Sequence, residues 1–304
     1  MNFDKALALA ITFLRANIPF ALWGDPGIGK SALGQLLADK FSLVFIDIRL
    51  GNVEPVDLNG FVHKDELKGT FDYLPWARFP LENTPLPPGK KGWLIMFDEI
   101  NTAPRQNLAA SYKIFHDRMI GSNKLHPNAR LMMGGNRIGQ GLAGALPSPL
   151  VSRGAHIVMK AELTPTLSTI LGPSITAFLT NHPKFIYMET QEPNSPFPTL
   201  RTWEMCKEYI AQNGGLVAPL LEGLSCIVGN AAAVSYVSFA QKEDELLTAL
   251  QGVEPFELEH CQDLLEYLGT SITLLEKHRH RFPMEWKTLA DVRIESMKNG
   301  TSIA

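Results

Sequence analysis

The sequence predicts an α/β fold: a parallel five-stranded sheet bearing a phosphate-binding loop, followed by an α-helical part. Three stretches carry that expectation. Gly24-Asp25-Pro26-Gly27-Ile28-Gly29-Lys30-Ser31 fits the pattern G-x-x-x-x-G-K-[ST] at every fixed position. The run Trp93-Leu94-Ile95-Met96-Phe97 is apolar throughout and delivers Asp98 and Glu99 at its carboxyl end, where open α/β sheets bind ligands. Beyond residue 165 the apolar spacing turns helical and no further strand stands out.

Taken in order, residues 4–16 place Leu7, Ile11 and Leu14 on one helical side, and Pro19 ends that segment. Phe20-Ala21-Leu22-Trp23 reads as a strand, and a helix with Leu33, Leu36 and Leu37 on one face follows the loop. In such a setting Asp25, Pro26, Gly27, Ile28 and Gly29 form a turn whose successive N–H groups converge on a phosphate at the positive end of the helix. Gly27 and Gly29 permit close approach and positive φ. Lys30 is then expected to reach the β- and γ-phosphates, and the Ser31 hydroxyl to hold Mg²⁺.

Leu43-Val44-Phe45-Ile46-Asp47-Ile48 suits a buried parallel strand. Residues 51–92 contain too many glycines and prolines for a long regular element, and Phe61-Val62-His63 and Gly69-Thr70-Phe71 are placed to pair as a hairpin within them. A region of that length is more than a connection. At the next strand end, Asp98 is positioned to orient the water shell of Mg²⁺ opposite Ser31, and Glu99 to polarise an attacking water. Pro104 opens a helix to about Phe115, and residues 119–127 form a turn or small hairpin around Gly121-Ser122-Asn123. Arg130-Leu131-Met132-Met133 is the fourth strand and runs into Gly134-Gly135-Asn136. From spacing alone, Asn136 either holds a water or the γ-phosphate or caps its own turn. Gly139, Gly141, Gly144, Pro147 and Pro149 form a mobile connection to Arg153, whose direction spacing leaves open. His156-Ile157-Val158-Met159 is the fifth strand.

This divides the chain into a nucleotide-binding core over 1–165, with 51–92 as an insert-bearing loop region, and a helical lid with a C-terminal extension over 166–304. Residues 166–180 read as one helical stretch closed by Asn181-His182-Pro183. Trp203, Cys206 and Ile210 share a buried helical face, residues 230–241 form a helix rich in small side chains, and 258–276 form one broken or strained at Gly269. Lys277-His278-Arg279-His280-Arg281 reads as a solvated basic patch, since no cysteine or paired acid completes a metal site.

Composition narrows the function classes. A net charge of -3 gives no general electrostatic case for nucleic-acid binding. Cys206, Cys226 and Cys261 are too scattered for a disulfide framework and read as buried thiols. The start of the sequence lacks a secretion signal, and no apolar run reaches membrane-spanning length, so a cytoplasmic protein is expected.

The loop motif, together with Leu94-Ile95-Met96-Phe97-Asp98-Glu99-Ile100-Asn101-Thr102-Ala103-Pro104, resembles the AAA+ ATPases and, within them, the MoxR-type branch. Glu54-Pro55-Val56-Asp57-Leu58-Asn59-Gly60 is similar to the segment preceding that branch's helix-2 insert, and Gly135-Asn136 to its polar sensor. Pro149-Leu150-Val151-Ser152-Arg153 falls where the family carries its arginine finger, with Gly154 in place of the usual phenylalanine. Thr199-Leu200-Arg201 resembles the second sensor, its proline displaced to Pro198. The resemblance covers about residues 18–212. It implies ATP and Mg²⁺ as ligands and catalytic roles for Glu99, Asn136, Arg153 and Arg201. It also implies a ring, usually a hexamer, that remodels a partner complex, often alongside a separate protein with a von Willebrand A domain.

Two other classes compete. A nucleic-acid machine or helicase loader needs a basic, aromatic surface loop, for which Lys64, Lys68, Lys90 and Lys91 are candidates opposed by Asp65, Glu66 and Asp72. A nucleotide-binding scaffold or switch would have no use for a water-activating glutamate at position 99.

Overall fold

Five short apolar strands pair in parallel because successive ones are joined by crossovers long enough to return the chain to the same end of the sheet. They are β1 (Phe20–Trp23), β2 (Leu43–Arg49), β5 (Gly92–Asp98), β8 (Ala129–Gly135) and β9 (Ala155–Val158), in the order β2-β5-β8-β1-β9. Two hairpins lie outside the sheet: β3 (Phe61–Asp65) with β4 (Thr70–Leu74), and β6 (Met119–Ile120) with β7 (Asn123–Lys124). The computed structural model describes residues 1–67, 69–137, 144–190, 192, 194–215, 217–251, 256, 261–268, 275–276 and 278–299. The expectations at Lys68, Gly139, Gly141, Gly269 and Lys277 lie outside the described residues.

The alternation of each strand sorts its side chains onto two faces. Leu94 and Met96 of β5, Met132 of β8, and Phe20 and Leu22 of β1 join one apolar cluster, together with α1 (Phe3–Arg15) and α2 (Lys30–Lys40). Trp93, Ile95 and Phe97, Leu131 and Met133, and Ala21 join the other, covered by α4 (Arg105–Asp117). All seven residues of β5 are buried, as expected for a central parallel strand covered on both faces.

Beyond β9 every described element is helical. The stretch expected as one helix over 166–180 is two, α6 (Pro165–Leu171) and α7 (Pro173–Asn181). Gly172 at φ +85° ends the first, and Pro173, lacking an N–H, opens the second. After these come α8 (Leu200–Gln212), α9 (Leu221–Val228) and α10 (Asn230–Gln251), the last longer than the small-residue segment that announced it. The apolar cluster on the α1–α2 face continues into these helices through Leu167, Ile175, Phe178, Trp203, Leu224 and Tyr236. Trp203 is fully buried, and its indole N–H donates to Phe185 O at 2.8 Å, so truncating it to alanine would cost about 3–5 kcal/mol.

The C-terminal part, with helices Cys261–Leu268 and Met284–Asn299, packs its own small cluster around Phe256, Leu264 and Phe282. The expected solvated basic patch is not uniformly solvated. Arg281 is buried with its guanidinium 4.2 Å over the Phe256 ring, and Arg279 is ion-paired with Asp291. A delocalised, weakly hydrated cation tolerates such stacking. Of the three thiols, Cys206 and Cys261 are buried as expected, but Cys226 is exposed near the end of α9. Among the described residues no helix is long and apolar enough to cross a membrane.

Candidate active site

The phosphate loop connects β1 to α2, and the backbone at Gly29, with φ +95°, makes the turn into the helix that a residue bearing a Cβ resists. The first-turn amides of α2 have no acceptor within the helix, and no side chain caps them. Lys30 opens α2 and is buried, with its ammonium donating to Gly24 O at 2.8 Å, Asp25 O at 3.0 Å and Asn136 Oδ1 at 2.9 Å. Burial pulls its pKa down from 10.5 to about 8, against the opposing pull of Asp98. Arg201 lowers it further, while Asp25 and Glu99 raise it.

Ser31, one residue on, donates its hydroxyl to Asp98 Oδ2 at 3.3 Å. Asp98 ends β5 and packs directly against the backbone of β8, since a Cβ on Gly134 would fall 2.3 Å from Asp98 Oδ1. Glu99 then turns out of the strand in the left-handed region at φ 56°, with its N–H donating to Asp98 Oδ1 at 2.9 Å. Non-glycine residues hold that conformation at some energetic cost, and here its carbonyl is tied by the Thr102 N–H and hydroxyl. Asp47, on neighbouring β2, adds a third carboxylate. Its Oδ1 is buried without a hydrogen-bond partner, and its pKa is raised by burial and then by Asp98. A serine hydroxyl beside a carboxylate, with further acids nearby, is the hard oxygen donor set suited to Mg²⁺, which keeps most of its waters.

Thus the structure brings Lys30, Ser31, Asp98, Glu99 and Asn136 together. Arg201 joins them from α8: its N–H donates to Gly27 O at 3.1 Å, and the Thr199 side chain lies against Gly27. The start of the helical segment therefore touches the phosphate loop directly. Arg153 stands apart. It precedes β9, whose first residue pairs with Phe20, so it lies at the opposite end of the sheet from the loop. Its guanidinium sits 5.7 Å over the Tyr112 ring, with Nη1 buried and without a hydrogen-bond partner.

Three residues of this site were not singled out from the sequence: Asp47, Asn101 and Arg137. Asn101, 6% exposed, brackets Asn136 by donating to its carbonyl at 2.8 Å and accepting its N–H at 3.1 Å. Arg137 lies against Asp25, with Nε 3.5 Å from Oδ1. Asn101 stands in the quoted strand-end motif, but its partner is 35 positions away and no local pattern announces the pairing.

Comparison with known proteins agrees with the core fold. Residues 19–153 match the AAA domain family, dynein-related subfamily. That match spans less than half of the chain, and the five-stranded parallel sheet flanked by helices and followed by a helical part is consistent with an AAA+ core and its lid. Among solved structures it is similar to a Cytophaga hutchinsonii protein described as a candidate ATPase, at 16% identity and TM-score 0.37, covering 75% of this chain and 81% of that one. It is also similar to the K64R mutant of Thermotoga maritima RuvB, at 15% identity and TM-score 0.41, covering 77% and 67% respectively. No curated protein matches the chain.

Proposed function

We propose that the chain is a Mg²⁺-dependent ATPase of the MoxR type, working as a ring whose turnover remodels or activates a partner protein complex. The observation that carries the catalytic part is the meeting of Lys30 with Asn136 and of Ser31 with Asp98 at the carboxyl ends of adjacent strands.

In this reading the loop amides and Lys30 hold the phosphates, and Arg201 adds charge from the helical side. Ser31 and Asp98 would hold Mg²⁺, which neutralises charge across the phosphate oxygens. Glu99 accepts the proton of the attacking water, and the Asn136 amide orients that water without adding charge. The tie of Asn136 to Lys30 keeps water-orienting and phosphate-holding groups in register. Arg153 acts on a neighbouring subunit's nucleotide, a role supported by its position far from the chain's own loop.

The partner-directed part is supported by the β3–β4 hairpin, where Phe61, Val62, Phe71 and Leu74 are each more than half exposed. Of the basic residues that would favour nucleic acid there, Lys64 is paired with Glu66. Phosphate release from ATP, measured with and without Mg²⁺, tests the proposal. Turnover with the metal and none without it is expected, along with loss of nucleotide binding in Lys30→Ala. A parent protein that fails to bind ATP would refute it.

A further inference from the structure

The phosphate loop contains a carboxylate where a polyphosphate is to be received. Asp25 follows Gly24 directly, its side chain is 12% exposed, and Lys30 takes the Asp25 backbone carbonyl as one of its three acceptors. A buried negative charge beside a site for an anion opposes binding unless a cation screens it.

Arg137 is placed to do this. It follows Asn136 at the end of β8, its Nε lies 3.5 Å from Asp25 Oδ1, and its Nη2 donates to Met159 O at 3.4 Å, just past β9. One guanidinium therefore spans the carboxyl ends of β8, β1 and β9, three neighbouring strands of the sheet. The Arg137 side chain is 44% exposed, so it sits at the rim rather than under the loop. Its field reaches beyond Asp25 to Tyr187, whose hydroxyl donates to Glu189 at 3.3 Å.

Resting on the nucleotide reading above, we propose that Arg137 is a positioning residue that neutralises the Asp25 carboxylate and thereby allows the phosphate loop to accept a nucleoside di- or triphosphate. Arg137 acts through Asp25 and not by touching phosphate. This distinguishes it from Lys30 and Arg201, and it predicts that removing the carboxylate removes the need for the arginine.

The test is a binding cycle with ADP and a non-hydrolysable ATP analogue on the parent, Arg137→Gln, Asp25→Asn and the double variant, with thermal unfolding of each protein run alongside. Arg137→Gln is expected to weaken the triphosphate analogue about tenfold or more, and ADP less, because the exposed repulsion grows with ligand charge. Whatever Asp25→Asn alone does to affinity, the double variant should bind within about threefold of it, the loss of the arginine's effect that coupling through one carboxylate requires. Arg137→Lys, which keeps the charge, should retain most of the affinity. A double variant weaker than Asp25→Asn by the same factor that separates Arg137→Gln from the parent would overturn the proposal in favour of direct phosphate contact. Unchanged affinity in Arg137→Gln with a lowered unfolding temperature would overturn it in favour of a plain structural tie. In both cases the parent binds, so the nucleotide reading survives; a parent that binds neither ligand overturns both.

Discussion

Lys30 and Asn136, 106 positions apart, meet at 2.9 Å, and their hydrogen bond joins the first residue of α2 to the residue just past β8. It places a cation suited to phosphate and an amide suited to water in contact, across the gap between two neighbouring strands. Ser31 and Asp98 make the matching link one strand further along the sheet.

The buried Lys30 ammonium should give the proposed nucleotide binding a pH dependence. Its pKa is lowered to about 8 by burial, so it carries its charge below that value and loses it above. Affinity for the non-hydrolysable triphosphate should be flat below about pH 7.5 and fall by up to about tenfold per unit above pH 8. Calorimetric titration across pH 6.5–9.5 on the order of half-unit steps checks this. The effect on stability has the opposite sign. Between about 8 and 10.5 the unfolded lysine keeps a proton that the folded one has lost, so this group's contribution to stability rises with pH there.

Asn101 should matter to turnover without touching the nucleotide. Asn101→Ala removes both bonds to the backbone of Asn136 and leaves a half-buried N–H without that acceptor, at a cost of about 1 kcal/mol in stability. A drop in kcat of about ten- to a hundredfold with triphosphate affinity nearly unchanged is expected, because the amide moves while the loop stays. Equal losses in kcat and affinity would mean the variant disturbs the whole site instead.

Arg153 should act between subunits. Arg153→Ala is expected to bind nucleotide normally and to lose about a thousandfold or more in turnover, the scale of an arginine finger. Mixing it with Lys30→Ala should restore part of the activity, since each variant supplies what the other lacks. Mixtures no more active than the separate variants would assign Arg153 to its stack on Tyr112 alone.

How much of this was legible in the sequence depended on the range of the signal. The loop 24–31, the strand ending at Asp98 and the hairpin of β3 with β4 are written in contiguous residues, and they formed where the pattern placed them. The break at Gly172-Pro173 was also local, but the apolar spacing ran smoothly across it, and only the φ of +85° separates the two helices. Asn101, Arg137 and Asp47 stayed hidden because their partners come from other strands, so register rather than neighbourhood gives them meaning. Arg281 escaped for the same reason: a cation in a basic run reads as solvated until Phe256 is brought beneath it.

Glu99 is the most direct test of the account. It leaves β5 in a left-handed turn, tied to Asp98 and Thr102, and is assigned the proton of the attacking water. Glu99→Gln keeps the shape and removes the base. The measurement is triphosphate affinity and single-turnover phosphate release on the same preparation. Parental affinity with phosphate release slowed about a hundredfold or more is expected. Phosphate release at the parental rate would contradict it.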